Sequence, residues 1–122
     1  MTGLATTLQA FFTDRLVRQR QVSANTIQAY RDTLRLLLVF ASERQGKSPV
    51  RLDIDDLDAP LIGAFLDHLE RERHNCVRSR NARLAALRSF LKFVAHRDVT
   101  SLQVIESALG VPVKRFERPM LG

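Results

Sequence analysis

"VRSRNARLAALRSFLKF", Val77 to Phe93, carries an apolar row and a basic row in one stretch. Leu84, Leu87 and Leu91 recur at helical spacing, and Phe90 and Val94 widen the same stripe, so these side chains share one face of an α-helix. A half-buried strand would need strict alternation, which the stretch lacks. It therefore predicts a helix from about Ser79 to His96. On that helix Arg80, Arg83 and, further round, Arg88 and Lys92 are expected to project away from the apolar face, with Arg78 and Ser79 at its start.

Working outward, the same period appears nearly everywhere. A first helix is expected from about Leu4 to Arg20, with Leu4, Leu8, Phe11, Phe12 and Leu16 inward. Ser23 is placed to accept hydrogen bonds from unpartnered amides and so to cap a second helix, from about Ala24 to Arg44. That helix turns Ile27, Tyr30, Leu34, Leu37, Leu38 and Ala41 inward, and its run "LLLVF" (Leu36 to Phe40) predicts enclosure on all sides. Gly46 supplies a stop. "KSPVRLDIDDLDAP" reads as a loop. Asp58 caps a third helix that tolerates Pro60 in its first turn, reaches about Arg73, and buries Leu61 or Ile62, Phe65, Leu66 and Leu69. After the basic helix, a short fifth is expected from about Leu102 to Leu109, burying Leu102, Ile105 and Leu109 and ending at Gly110. The expectation is an all-α fold in residues 1–110. Residues 111–122 read as an extended tail, in which Phe116, Met120 and Leu121 have no helical face to join.

A chain of 122 residues has room for one core. No apolar run approaches the roughly 20 residues that span a bilayer, and the N-terminus lacks the basic segment and apolar core of a secretory signal. A cytoplasmic protein with no membrane partner is expected. The lone Cys76 excludes an internal disulfide; "HNC", His74 to Cys76, is the one remaining metal option. Asp53, Asp55, Asp56 and Asp58 lack the glycine and closing glutamate of a calcium loop, so they read as caps and loop solvation. The three histidines are scattered, and no phosphate loop or zinc-protease motif occurs. No catalytic residue, metal or cofactor is expected.

The net charge of +6 is unevenly distributed. Residues 1–47 carry +4, residues 48–70 carry −5, residues 71–97 carry +7 and the remainder is neutral. Such asymmetry favours an anionic partner. One alternative is a solvated basic face balanced by the acidic block; salt bridges would absorb some of the charge and leave a surplus. Basic side chains beside free helix N-terminal amides are the groups that bind phosphate oxygens. The start of the second helix repeats that arrangement with Ser23, Asn25, Thr26, Gln28 and Arg31.

Three segments resemble the N-terminal core-binding domain of tyrosine recombinases, the phage-integrase group. "VSANTIQAYRDTLRLLLVFA" (Val22 to Ala41) resembles its second helix, "SRNARLAALRSFLKFV" (Ser79 to Val94) its fourth, and "DIDDLDAPLIGAFLDHL" (Asp53 to Leu69) the connection between them. The resemblance implies a SAM-like fold, a compact orthogonal bundle of four to five helices forming half of a clamp around double-stranded DNA, with helices two and four toward the major groove. It carries over as DNA contacts Ser23, Asn25, Thr26, Gln28, Arg31, Arg78, Ser79, Arg80, Arg83, Arg88 and Lys92. It also implies contacts with other recombinase protomers, and it likens "KRFERPMLG" to a linker toward a separate catalytic domain that bears the tyrosine nucleophile. Tyr30 belongs to the second-helix signature and is not that nucleophile. An alternative function is a helical protein-interaction module that binds an acidic partner or itself.

Overall fold

The computed structural model describes residues 3–19, 23–74 and 76–113. Its elements are α1 (Leu4–Ala10), a π-helical continuation (Phe11–Gln19), α2 (Ala24–Gln45), α3 (Ala59–Glu72), α4 (Val77–Arg97) and α5 (Leu102–Leu109), with short 3₁₀ turns between some of them. The all-α expectation holds among these residues, and no helix is long and apolar enough to cross a membrane. Arg20 and the tail side chains Phe116, Met120 and Leu121 lie outside the described residues.

The first helix departs from the expected single α-helix. Leu4, Leu8 and Phe11 follow the α-helical row and are buried, and the next α position on that row is the polar Arg15. Leu16 is buried as expected, but the winding differs: from Phe11 to Gln19 the turns widen to i→i+5 bonds, which set Leu16 in line with Phe11 and leave Phe12 half-buried. Phe11 has no exposed surface and is the aromatic hub of the bundle. Its ring lies 5.5 Å from Phe12, 6.4 Å from Tyr30 and 5.4 Å from both Phe90 and Phe93.

α2 starts and stops as its sequence requires. Ser23 Oγ accepts from the Thr26 amide at 3.2 Å, and Gly46 ends the helix at φ 64°, a left-handed conformation that glycine adopts without steric cost. "LLLVF" is not enclosed all round. Leu37 is buried, Leu36, Leu38 and Phe40 are half-buried, and Val39 is 51% exposed. α2 is covered by neighbours on one side only, and Val39 falls on the side turned to solvent.

The segment between α2 and α3 is more than a loop. Its two 3₁₀ turns insert Leu52, Ile54 and Leu57 into the core, each at most 1% exposed, and the Leu52 carbonyl accepts from the Leu4 amide at 2.9 Å. The aspartates serve as caps. Asp56 accepts from the Asp53 amide at 2.9 Å and pairs with Lys47 at 3.1 Å, while Asp58 accepts from the Leu61 amide at 2.9 Å. Leu61 and Ile62 are both buried on α3, together with Phe65, Leu66 and Leu69.

α4 packs against α2, α3, α5 and the π-helical segment. It buries the expected Leu84, Leu87, Phe90, Leu91 and Val94, and also Ala86, Phe93 and Arg80. On α5 the inward residues are Ile105 and Ala108. Leu102 is 38% exposed and Leu109 half-buried, because α5 meets the bundle along a line rotated from the one its leucines suggest.

Replacing the aromatic hub, Phe11→Ala, is expected to cost about 3–5 kcal/mol, whereas Val39→Ala is expected to cost under about 0.5 kcal/mol. Urea denaturation measures both, and similar losses would contradict this assignment of the core.

Candidate nucleic-acid interface

α2 and α4 run side by side with their N-termini at the same end. Asn25 and Thr26 in the first turn of α2 and Ser79 in the first turn of α4 line one crevice, and Thr33 and Arg83 lie deeper in it. The two helix starts bring amides without helical partners and the positive ends of two helix dipoles close together. Small side chains, Ala29 on α2 and Ala82 and Ala86 on α4, keep the crevice open.

Arg83 is fixed across this crevice. Its Nη1 donates to Thr33 Oγ1 at 2.8 Å, and the Thr33 hydroxyl donates to the Ala29 carbonyl at 3.0 Å. A guanidinium held by one of its five N–H groups keeps the others for an acceptor, and its charge is undiminished because its partner is neutral. Thr33, 2% exposed, was not singled out from the sequence. Its contact spans fifty residues, and no local pattern marks it.

The other candidates scatter. Ser23 spends its hydroxyl on the α2 cap, also donating to Thr26 Oγ1 at 3.0 Å. Gln28 Nε2 donates to Asp32 Oδ1 at 3.0 Å, one turn along α2. Arg31 is exposed and lies over the Phe12 ring at 5.6 Å, on the side of α2 toward the first helix. Arg78 and Lys92 are exposed on α4, where together with Ala82, Ala85 and the half-buried Ser89 they mark its outward face.

Two arginines do not project as expected. Arg80 is 8% exposed; its Nε lies 3.0 Å from Glu70 Oε1, and its Nη1 donates to Asn81 Oδ1 at 3.2 Å and to the Pro112 carbonyl at 3.3 Å. Arg88 is half-buried and its Nη2 donates to the Leu109 carbonyl at 2.9 Å. The reason is the number of neighbours: with α3 and α5 both packed on α4, positions 80 and 88 fall in the seams between helices, where an arginine persists by satisfying a carboxylate or orphan carbonyls. The acidic block thus neutralises part of the basic one, through Glu70.

Cys76 is the exposed N-cap residue of α4. The Ser79 hydroxyl, 3.5 Å from its sulfur, and the Ser79 amide hold the thiol below its ordinary value. Among the described residues no three His, Cys, Asp or Glu side chains gather where a metal could be held, so His74 and Cys76 have no further ligands beside them.

A family model described as phage integrase, N-terminal SAM-like domain, matches residues 9–98. The chain belongs to this family. It is 48% identical over 120 residues to a Sinorhizobium fredii protein named "Putative integrase/recombinase y4rC", covering 98% of this chain and 36% of that protein. It is 46% identical over 112 residues to a second protein of the same organism, "Putative integrase/recombinase y4rD", covering 92% of this chain and 40% of that one. The chain therefore spans well under half the length of these relatives. No solved structure matches it. What it contains is the N-terminal SAM-like domain of the integrase family, and α2 and α4 are the helices that its second- and fourth-helix resemblances singled out.

The buried pair gives a test of the seam. Removing one member of a fully buried ion pair costs about 3–5 kcal/mol. The Glu70 side chain keeps 22% of its exposure, so Arg80→Met is expected to cost less, about 2 kcal/mol. Glu70→Leu with Arg80→Met should recover at least half of that loss in urea denaturation. A double variant as unstable as the single one would contradict a paired, buried Arg80.

Proposed function

We propose that this SAM-like domain is the DNA-binding module of a site-specific tyrosine recombinase or integrase. It grips duplex DNA with the face shared by α2 and α4 and performs no chemistry itself. The observation that carries the reading is the crevice in which the first turns of both helices meet beside Arg83. Phosphate oxygens are matched by helix N-terminal amides, short hydroxyl and amide side chains, and arginine. The outward face of α4, with alanines and Ser89 between Arg78 and Lys92, allows the helix axis to approach a groove wall closely while cations reach phosphates on either side.

The residues proposed to touch DNA are Asn25, Thr26, Arg78, Ser79, Arg83 and Lys92. Gln28 and Arg31 extend the surface along α2, and Ser23 acts through its cap. Residues 1–110 form the module, and 111–122 lead toward the catalytic domain of the same recombinase. The length of the named relatives, of which this chain covers 36% and 40%, supports that arrangement. Other protomers bound to the same DNA are the expected protein partners.

The test is affinity for a duplex of about 30 base pairs across a salt series. Log K should fall with log salt by about 0.9 per phosphate contact. Arg78→Glu combined with Lys92→Glu should flatten that slope by close to two contacts, in a variant that circular dichroism shows to be folded. An unchanged slope would remove α4 from the DNA, and equal retention of an acidic polypeptide and DNA at matched salt would favour the protein-interaction reading instead.

A further inference from the structure

α5 ends with carbonyls that have no helical donor. The Gly110 and Val111 amides take two of them, Ser107 O at 3.1 Å and Ala108 O at 3.2 Å. Arg88 takes that of Leu109. Three residues later Arg80, two turns earlier on α4, takes the carbonyl of Pro112. The segment thus passes Arg88 first and Arg80 second, antiparallel to α4 and toward its N-terminus. The eight residues from Arg80 to Arg88 rise about 12 Å along the helix, and the Gly110–Val111 turn covers less than the roughly 10 Å that three extended residues would reach. Arginine side chains close the difference. Val111, 9% exposed, seals the segment against the bundle between the two contacts.

We propose that Arg80 and Arg88 are positioning residues that lay residues Gly110–Val113 along α4 and so fix where, and in which direction, the chain leaves the domain. The exit then lies at the end of α4 that carries the crevice. Glu70 completes the device: its carboxylate orients the Arg80 guanidinium so that Nη1 faces the Pro112 carbonyl. Arg80, Arg83 and Arg88 of α4 therefore differ in role. Arg83 lies in the crevice on a neutral hydroxyl, while Arg80 and Arg88 hold the exit. The functional meaning rests on the reading of the chain as a DNA-binding module followed by a catalytic domain, since a fixed exit beside the DNA face would set that domain's starting position.

The experiment places spin labels at His96→Cys and Val113→Cys in a Cys76→Ser background. Both sites are exposed, and α4 separates His96 from Arg80 by about 24 Å. Pulsed dipolar spectroscopy should give one narrow distance distribution. Arg88→Gln, and separately Arg80→Met combined with Glu70→Leu to avoid stranding a carboxylate, should each at least double its width, and Arg88→Lys should restore most of the narrowness. Circular dichroism confirms that each variant is folded, and Arg88→Gln serves alone if the other does not fold. Unchanged widths would overturn the proposal. So would an Arg88→Gln variant that keeps the narrow distribution but loses about 0.9 from the salt slope on DNA, since Arg88 would then be a phosphate contact. Failure of the parent chain to bind DNA would sink the proposed function and leave the distance result standing.

Discussion

The packing of α4 on three sides is the constraint from which the rest of this structure follows. α2, α3, α5 and the π-helical segment all rest on it, and its buried face runs from Arg80 to Val94. A helix so enclosed keeps only a narrow strip for solvent. The basic residues that fall on the strip face solvent, and those that fall in the seams must be satisfied within the fold. The same enclosure places α2 alongside α4 and brings their first turns together.

Charge density therefore overstates the binding surface. The +7 of residues 71–97 is a property of the sequence, but Arg80 is matched by Glu70 and Arg88 by the end of α5. Arg83 lies between the two cases: it is anchored, yet by a neutral hydroxyl, so it keeps its full charge. An anchored cation has lost side-chain freedom during folding and so loses less on binding.

Much of this was legible in the chain because it is local. The Ser23 and Asp58 caps, the Gly46 stop and the apolar rows of α3 and α4 depend on residues within a turn or two of each other. What was not legible depends on distant partners. Nothing near Thr33 announces Arg83, and nothing near Arg88 announces the Leu109 carbonyl. Leu52, Ile54 and Leu57 were missed as core because proline and aspartates mark the segment as a loop, and such loops can still be buried through 3₁₀ turns. The π turn at Phe11 was not legible because Leu8, Phe12 and Leu16 also fit an α-helical row, so the apolar pattern does not distinguish the two windings. Among the candidate contacts, identity was readable and direction was not. A helical wheel separates apolar from basic, but it does not say which basic positions a neighbouring helix will cover.

The most direct test of the account is to follow backbone amide resonances of the chain during titration with a duplex of about 30 base pairs. The account predicts the largest shifts in the first turn of α2, at Asn25 and Thr26, and along the outer face of α4, at Ser79, Ala82 and Ala85, with little change on α3. Shifts centred instead on the exposed edge around Val39 and α3 would contradict it, because DNA would then be meeting the opposite side of α2.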